Sequence, residues 1–357
     1  MLKIKIVHAG FGEGHKQAAS SAADCFGTGC LDLIEFARFT PLKKASSFGY
    51  YVLTQRFPIL WQALFNLSRF KPIRTIFNLI NRFIFSDFIS YIREEKPEIV
   101  ITTHFFIPYL VKKAVPGNVN IITIITDLRV HPWWLDGESD IYFAPLDITE
   151  QDLLGYGVSR EKIVCGFAPL RQGFVRQESR NGLKKDSLMR EKEGILFVSS
   201  SRGRFPFFKE VFEEINKDFR AEVIYGHNEK LKNYLESKKN VSISFYPFYQ
   251  NMWELFSRND IIVSKPGGLT IFEGIYKRKF FIFTHYIPGQ EKANMEVLLE
   301  KGVGVFAPDV REFQKALDYY KHNKNRLRND YPIQLKGIKD RLKETVQSFT
   351  GAESKPG

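Results

Sequence analysis

The chain has 357 residues, 44% hydrophobic and 26% charged, enough for two domains with full cores and ordinary for a soluble globular protein. Its three cysteines (Cys25, Cys30, Cys165) show no CxxC spacing, so neither a zinc site nor a disulfide framework is indicated and a reducing compartment is expected. A net charge of +12 and a pI near 9.4 point to a polyanionic partner, either nucleic acid or an anionic membrane surface.

Met1 to Val7 alternates like a strand and carries no apolar run long enough for a signal peptide. No stretch approaches the ~20 apolar residues of a membrane span. Lys3–His8 reads as the first strand. The loop Gly10-Phe11-Gly12-Glu13-Gly14-His15 then opens a helix of small residues, Ala18, Ala19, Ala22 and Ala23. A dinucleotide-binding reading, with Asp32 or Glu35 as the ribose acid, fails on spacing, because the glycines fall at every second position and not as GxGxxG.

From Phe36 to Ser86 there is no acidic residue, yet Arg38, Lys43, Lys44, Arg56, Arg69, Lys71, Arg74 and Arg82 all lie there, interleaved with aromatics. Helices with an aromatic side and a basic side suit an interface with anionic lipid, and Arg69, Lys71, Arg74 and Arg82 are the candidate docking residues. A solvated basic helix pair packed on the domain is the alternative. Nucleic acid is not expected, since no recognition motif accompanies the charge.

Glu98–Thr103, Asn120–Thr126 and Asp140–Ala144 continue an alternation of strands and helices, the pattern of a parallel doubly wound sheet. Thr126-Asp127-Leu128-Arg129-Val130-His131-Pro132-Trp133-Trp134 follows a buried strand and so sits at a carboxyl end, where such folds place sites. Trp133 and Trp134 could equally pack beneath the loop.

After Cys165 the polar run from Arg176 to Glu193 reads as a linker, and the pattern restarts. Strands are expected at Gly194–Ser199, Ala221–Tyr225, Val241–Phe245, Asp260–Ser264 and Lys279–Thr284, with a closing helix within Asp330–Ser348. The expected organisation is α/β, with domains at 1–168 and 194–325, a linker at 169–193, a closing helix at 326–350 and a tail at 351–357. Ser199-Ser200-Ser201-Arg202-Gly203 is either a phosphate loop, through hydroxyl and N–H groups, or a solvated serine turn. Tyr225-Gly226 and Phe248 are candidate walls for a base, aromatic core being their commoner fate.

Between the strand ending at Ser264 and a helix from Leu269 to Tyr276, Pro266, Gly267 and Gly268 form a turn that a ligand can approach closely. The helix start aims N–H groups and partial positive charge at it, as phosphate sites do. Glu273 lies one turn inside, where a carboxylate can accept bonds from sugar hydroxyls. Thr270-x-x-Glu273 also fits a capping box, in which the two side chains serve only the helix.

SKPGGLTIFEG (264–274) followed by HYIPGQEKAN (285–294) resembles the donor-binding signature of family-28 glycosyltransferases. The resemblance is closest to the diacylglycerol sugar transferases, that is, monogalactosyldiacylglycerol synthases and processive glucosyltransferases. It implies the GT-B arrangement of two facing doubly wound domains with an interdomain cleft. It implies that Gly267, Gly268 and Thr270 meet the diphosphate of a UDP-sugar, that Glu273 holds the ribose hydroxyls, and that Gln290 and Glu291, with Asn294, hold the sugar. Ser201 and Phe248 complete the expected donor contacts. The loop ending in His15 resembles the family's N-terminal glycine-rich segment, which makes His15 the expected general base; Glu13 stands where the family more usually has glycine. The segment 126–134 resembles a TD…HPxW motif, which places Asp127, His131 and Trp134 on the acceptor side, with Gly14 of the N-terminal loop.

The expected activity is transfer of a hexose from a UDP-sugar to diacylglycerol or a related lipid hydroxyl, with inversion, by a cytoplasmic enzyme held peripherally on the membrane. No resident cofactor or protein-bound metal is expected. A polyprenyl-linked acceptor, a UDP-sugar epimerase of the same two-domain fold, and a non-catalytic UDP- or lipid-binding relative are the alternatives.

Overall fold

The computed structural model describes residues 2–10, 13–38, 54, 56–171, 173–174, 192–199, 205–215, 218–237 and 243–351. The chain divides into two compact units, one of residues 1–172, 288–290 and 335–357, the other of residues 173–287 and 291–334.

The first unit holds a six-stranded parallel sheet of β1 (Ile4–His8), β2 (Cys30–Asp32), β3 (Ile99–Thr102), β4 (Asn120–Ile124), β5 (Ile141–Ala144) and β6 (Ile163–Cys165), in the order β2-β1-β3-β4-β5-β6. Ile99-Val100-Ile101-Thr102 is buried throughout, as a strand covered on both faces must be. Successive residues serve opposite faces. Val7, Val100 and Ile121 pack against α4 (Ser86–Glu95) and α5 (Phe106–Ala114) through Phe88, Ile92, Leu110 and Val111. Ile6, Ile101, Ile122 and Phe143 instead meet Ala19, Ala22 and Ala23 of α1 (Glu13–Phe26). Small residues let α1 lie close to the sheet. Each fully buried Ile or Phe on these faces contributes about 1.5–3 kcal/mol.

The second unit repeats the plan with β8 (Glu193–Val198), β9 (Phe219–Ile224), β10 (Ile243–Tyr246), β11 (Ile261–Ser264), β12 (Phe280–Phe283) and β13 (Gly304–Phe306), ordered β10-β9-β8-β11-β12-β13 and parallel throughout. Its core is rich in phenylalanine: Phe197, Phe256, Phe272, Phe280, Phe281, Phe283 and Phe313 are all essentially inaccessible.

In both sheets the winding reverses beside the first strand, between β1 and β3 and between β8 and β11. Doubly wound folds bind ligands outside the carboxyl ends of the strands at such switch points. The two glycine-containing loops of the sequence follow β1 and β11.

The closing segment differs from the single helix expected over 326–350. Helix α12 (Val310–Asn329) ends before Pro332, which cannot continue a helix. The strand β14 (Lys336–Gly337) then pairs with β7 (Phe167–Ala168), and α13 (Lys339–Gly351) packs Ile338, Leu342 and Val346 into the first unit's core. Among the described residues no helix is long and apolar enough to cross a membrane.

Candidate active site

At the first unit's switch point the chain leaves β1 through Gly10, whose N–H donates to Asp32 Oδ1 at 2.9 Å. A Cβ at Gly10 would collide with that carboxylate, so a close approach requires the glycine. Asp32 also accepts from Ile34 N at 3.0 Å, capping the 3-10 turn Leu33–Phe36, and Glu35 is exposed. The carboxylate that a dinucleotide reading would have used thus braces the loop. Phe11 and Gly12 lie outside the described residues. Gly14 is exposed in the first turn of α1, and among the described residues nothing lies within 4 Å of where a Cβ would stand.

His15 Nδ1 donates to the Thr103 carbonyl at 2.6 Å. A carbonyl only accepts, so in the neutral ring Nδ1 carries the proton and Nε2 the lone pair. Thr103 Oγ1 returns a bond to the His15 carbonyl at 3.0 Å, and Thr126 Oγ1 lies 3.3 Å from Nδ1. The ring also meets His104 edge-on, with centroids 4.9 Å apart. Burial lowers the His15 pKa to about 4, with the Thr103 carbonyl opposing the shift and His8 adding to it. His15 is therefore neutral at pH 7, with its tautomer fixed by the chain end of β3.

The loop after β4 is pinned from behind. Arg129 makes a two-point pair with Asp152 at 2.8 and 2.9 Å, Val130 N donates to the same carboxylate at 2.9 Å, and Thr149 Oγ1 donates to the Leu128 carbonyl at 2.8 Å; Asp152 and Thr149 both lie on α6 (Asp147–Gly155). Asp127 is half-buried at the head of this loop. His131 Nδ1 accepts from Trp133 N at 3.2 Å, capping the 3-10 turn Pro132–Leu135, while Nε2 lies 3.4 Å from Ser68 Oγ. Its pKa falls to about 4, first from burial and then from Arg69 and Arg74, with the Phe65 carbonyl opposing. Both ring nitrogens are thus engaged in holding the turn. Trp134 is fully buried with Ile125, Val130, Tyr142 and Leu153, packed beneath the loop.

The basic aromatic segment forms α2 (Pro58–Leu67) and α3 (Lys71–Ile84), with Lys43, Lys44 and several of the aromatics outside the described residues. Helix α3 has apolar residues on two sides: half-buried Phe77 meets Trp133 edge-on and Ile84 packs against the first unit's core. Its only buried side chains are Arg74 and Asn78, whereas Ile76, Leu79, Ile80 and Phe83, spaced to form one row, are 48–57% exposed. Nine of the thirteen exposed large apolar side chains among the described residues lie between Phe57 and Phe83, so the exposure is concentrated on this surface. Arg38, Arg56, Arg69, Lys71 and Arg82 flank it and are exposed or half-buried. Arg74 is a correction: it is buried and pairs with Asp136 at 2.9 Å, so it cannot serve as a docking cation.

In the second unit α10 (Gly268–Tyr276) starts one residue earlier than expected, with Gly267 as its N-cap and no side-chain cap bond. Thr270 and Glu273 therefore both lie inside the helix, and a capping box between them is excluded. Among the described residues only the Lys265 Nζ, at 3.9 Å, comes within 4 Å of a Cβ built on Gly267, which leaves room at the turn for a phosphate. Glu273 is fully buried. Glu291, at the start of α11 (Gln290–Glu300), pairs with Lys265 and accepts from Ile287 N at 2.7 Å, while buried Asn294 donates to the Pro266 carbonyl at 3.3 Å. Glu291 and Asn294 thus brace the glycine turn. Gln290 is half-buried. Phe248 is 57% exposed beyond β10 and meets His227 edge-on, while Ser201 lies outside the described residues.

Sequence reasoning missed Thr103-His104, Lys265 and His285, whose pKa burial lowers to about 4, with Glu291 opposing the shift and Lys265 adding to it. Each follows a buried strand at or beside a switch point, which is the signal that would have found them.

Residues 15–167 match the family model described as monogalactosyldiacylglycerol (MGDG) synthase. The chain is also 25% identical over 346 residues, 88% of its own length and 84% of the relative's, to a processive diacylglycerol beta-glucosyltransferase of Bacillus cytotoxicus. In sequence the chain is thus similar to the family-28 glycolipid glycosyltransferases. In fold it matches the UDP-GlcNAc 2-epimerase of Neisseria meningitidis, solved with UDP-GlcNAc, at a TM-score of 0.59 and 15% identity over 98% of this chain and all of that one. It likewise matches glycosyltransferase SsfS6 of Streptomyces sp. SF2575, solved with thymidine diphosphate, at 0.57 and 12% over 97% and 99%. The GT-B fold expected of such a transferase is borne out.

Proposed function

We propose that this protein is a UDP-hexose transferase that works on a membrane surface. It moves glucose or galactose to diacylglycerol or a related lipid hydroxyl with inversion, from the cytoplasmic side and as a peripheral protein. The observation that carries the acceptor assignment is the outward apolar row of α3, flanked by cations, on the unit that holds His15. A soluble acceptor would leave that surface unexplained, because water disfavours contiguous exposed apolar patches. The names of the relatives support the same donor and acceptor classes.

In this reading His15 Nε2 takes the proton of the lipid hydroxyl as its oxygen attacks the anomeric carbon. The bond to the UDP oxygen breaks on the opposite face, so one displacement inverts the centre through an oxocarbenium-like state. Charge growing on the leaving diphosphate is met by the N–H groups of α10 at Gly268 and Thr270. A carboxylate at Glu273 accepts from the ribose hydroxyls.

UDP affinity tests the donor half. Glu273→Ala should weaken UDP by about 1–3 kcal/mol, as for a lost charge-assisted hydrogen bond. Gly267→Ala should weaken it as well, although its φ of −76° and open surroundings let the fold accept a methyl group. Titration calorimetry giving wild-type affinity for both variants would remove UDP from this turn.

The whole reading is tested by incubating the protein with labelled UDP-glucose or UDP-galactose, with and without diacylglycerol vesicles. A monohexosyl lipid of inverted anomeric configuration is expected. Conversion of UDP-sugar alone, with no lipid product, would favour an epimerase.

A further inference from the structure

Helix α3 is fastened through polar side chains, and the fastening closes a ring. Arg74 Nε donates to Asp136 Oδ1 and Asn78 Nδ2 to Oδ2, both at 2.9 Å, so one carboxylate is held from successive turns of the helix. Arg74 Nη1 also donates to the carbonyls of Ser68 at 3.3 Å and Arg69 at 2.5 Å, at the corner between α2 and α3. Ser68 Oγ in turn lies 3.4 Å from His131 Nε2. His131 begins the 3-10 turn that ends at Asp136. The circuit therefore runs Asp136, Arg74, Ser68, His131 and back along the backbone of that turn.

Two features make this more than an anchor. Beside the half-buried Phe77 and Ile84, the ion pair fixes the helix with Arg74 and Asn78 inward and the row of Ile76, Leu79, Ile80 and Phe83 outward. The turn on which it pulls is also the end of the loop that starts at Thr126, whose hydroxyl lies beside His15 Nδ1. A planar guanidinium bonded at several points resists rotation of the helix about its axis, as a single flexible cation would not.

We propose that Arg74 and Asp136 are positioning residues, forming a latch through which seating of α3 on lipid sets the turn 131–136 and the loop that meets the base. The proposal rests on the membrane-surface reading above. It assigns the pair no contact with substrate.

The test uses the full-length protein with both residues changed, Arg74→Gln with Asp136→Asn, because removing one charge alone would leave the other buried and unpaired. Hydrogen exchange is followed with and without vesicles of phosphatidylglycerol and diacylglycerol. In the wild type, vesicles should slow exchange in both 71–84 and 131–136. In the double variant, still folded by thermal unfolding, they should slow 71–84 alone. Its apparent KM for bilayer diacylglycerol should rise about tenfold to a hundredfold, as for misplaced reacting groups, with kcat/KM for a monodisperse short-chain diacylglycerol within about twofold of wild type.

Vesicles that protect 71–84 but leave 131–136 unchanged in the wild type would overturn the latch and spare the membrane reading. Vesicles that protect neither would overturn both. Equal loss with bilayer and short-chain acceptors would reduce the pair to a structural role and also overturn the proposal.

Discussion

His15→Ala is expected to lower turnover by roughly 10²–10⁴-fold, the range for removing a positioned base, while UDP affinity stays within about twofold because UDP is assigned to the other unit. The mechanism is specific about the atom. The Thr103 carbonyl commits Nδ1 to donation, so the proton of the attacking hydroxyl has only Nε2 to go to. The same environment fixes the pH dependence. Burial lowers the pKa to about 4, so the neutral, proton-accepting form persists well below the ordinary histidine value. As pH falls, kcat/KM in the wild type should hold through about pH 6 and drop only on approaching about 4. An acid limb centred near the ordinary histidine value of about 6.5, or an alanine variant of wild-type turnover, would move the base elsewhere, with Asp127 on the loop after β4 the next candidate.

Replacing Ile76, Leu79, Ile80 and Phe83 together by serine should lower vesicle partitioning by about 10²–10⁴-fold, since each such side chain contributes up to ~1.5–3 kcal/mol when fully removed from water and less when only half inserted. The fold should be little affected, because all four are already exposed. The cations act differently. Arg69→Gln, Lys71→Gln and Arg82→Gln should each cost about 1 kcal/mol on anionic vesicles at moderate salt. That loss should vanish near ~1 M salt, where the screening length falls to about 3 Å. Co-sedimentation with phosphatidylcholine, against mixtures containing phosphatidylglycerol, separates the two contributions. Undiminished pelleting of the serine variant would mean that the row does not meet lipid.

The fold was legible because parallel strands buried on both faces leave continuous apolar runs, such as Ile99-Val100-Ile101 and Ile261-Ile262-Val263. What escaped were pieces too short to show a period, β2, β6 and β13 at three residues each, and the division of the closing segment at Pro332. The glycine turn was legible as a phosphate cradle, but spacing alone could not separate it from a capping box. Only the helix start at Gly268 does that.

Side-chain roles that depend on partners distant in sequence were not legible. Nothing near Arg74 shows that Asp136, 62 residues on, will claim it, and a basic residue in a basic segment reads as solvent-facing by default. The local partners of His131 and Trp134 were equally hidden, one tied into a turn and one buried. Conversely, the basic aromatic composition of 36–86 did mark out the stretch where exposed apolar side chains concentrate. Counting charges put electrostatics first, whereas the exposed row on α3 is apolar, so the proposed docking rests on both.

Surface-dilution kinetics test the central claim, that the acceptor hydroxyl is taken from a bilayer, most directly. Diacylglycerol is held at one bulk concentration while its mole fraction in phosphatidylglycerol-containing vesicles is varied, and the initial rate of glycolipid formation from UDP-hexose is recorded. A rate that follows the mole fraction at fixed bulk concentration, and that collapses for the α3 serine variant, is the predicted result. A rate set by bulk concentration alone and unaltered in that variant would contradict it.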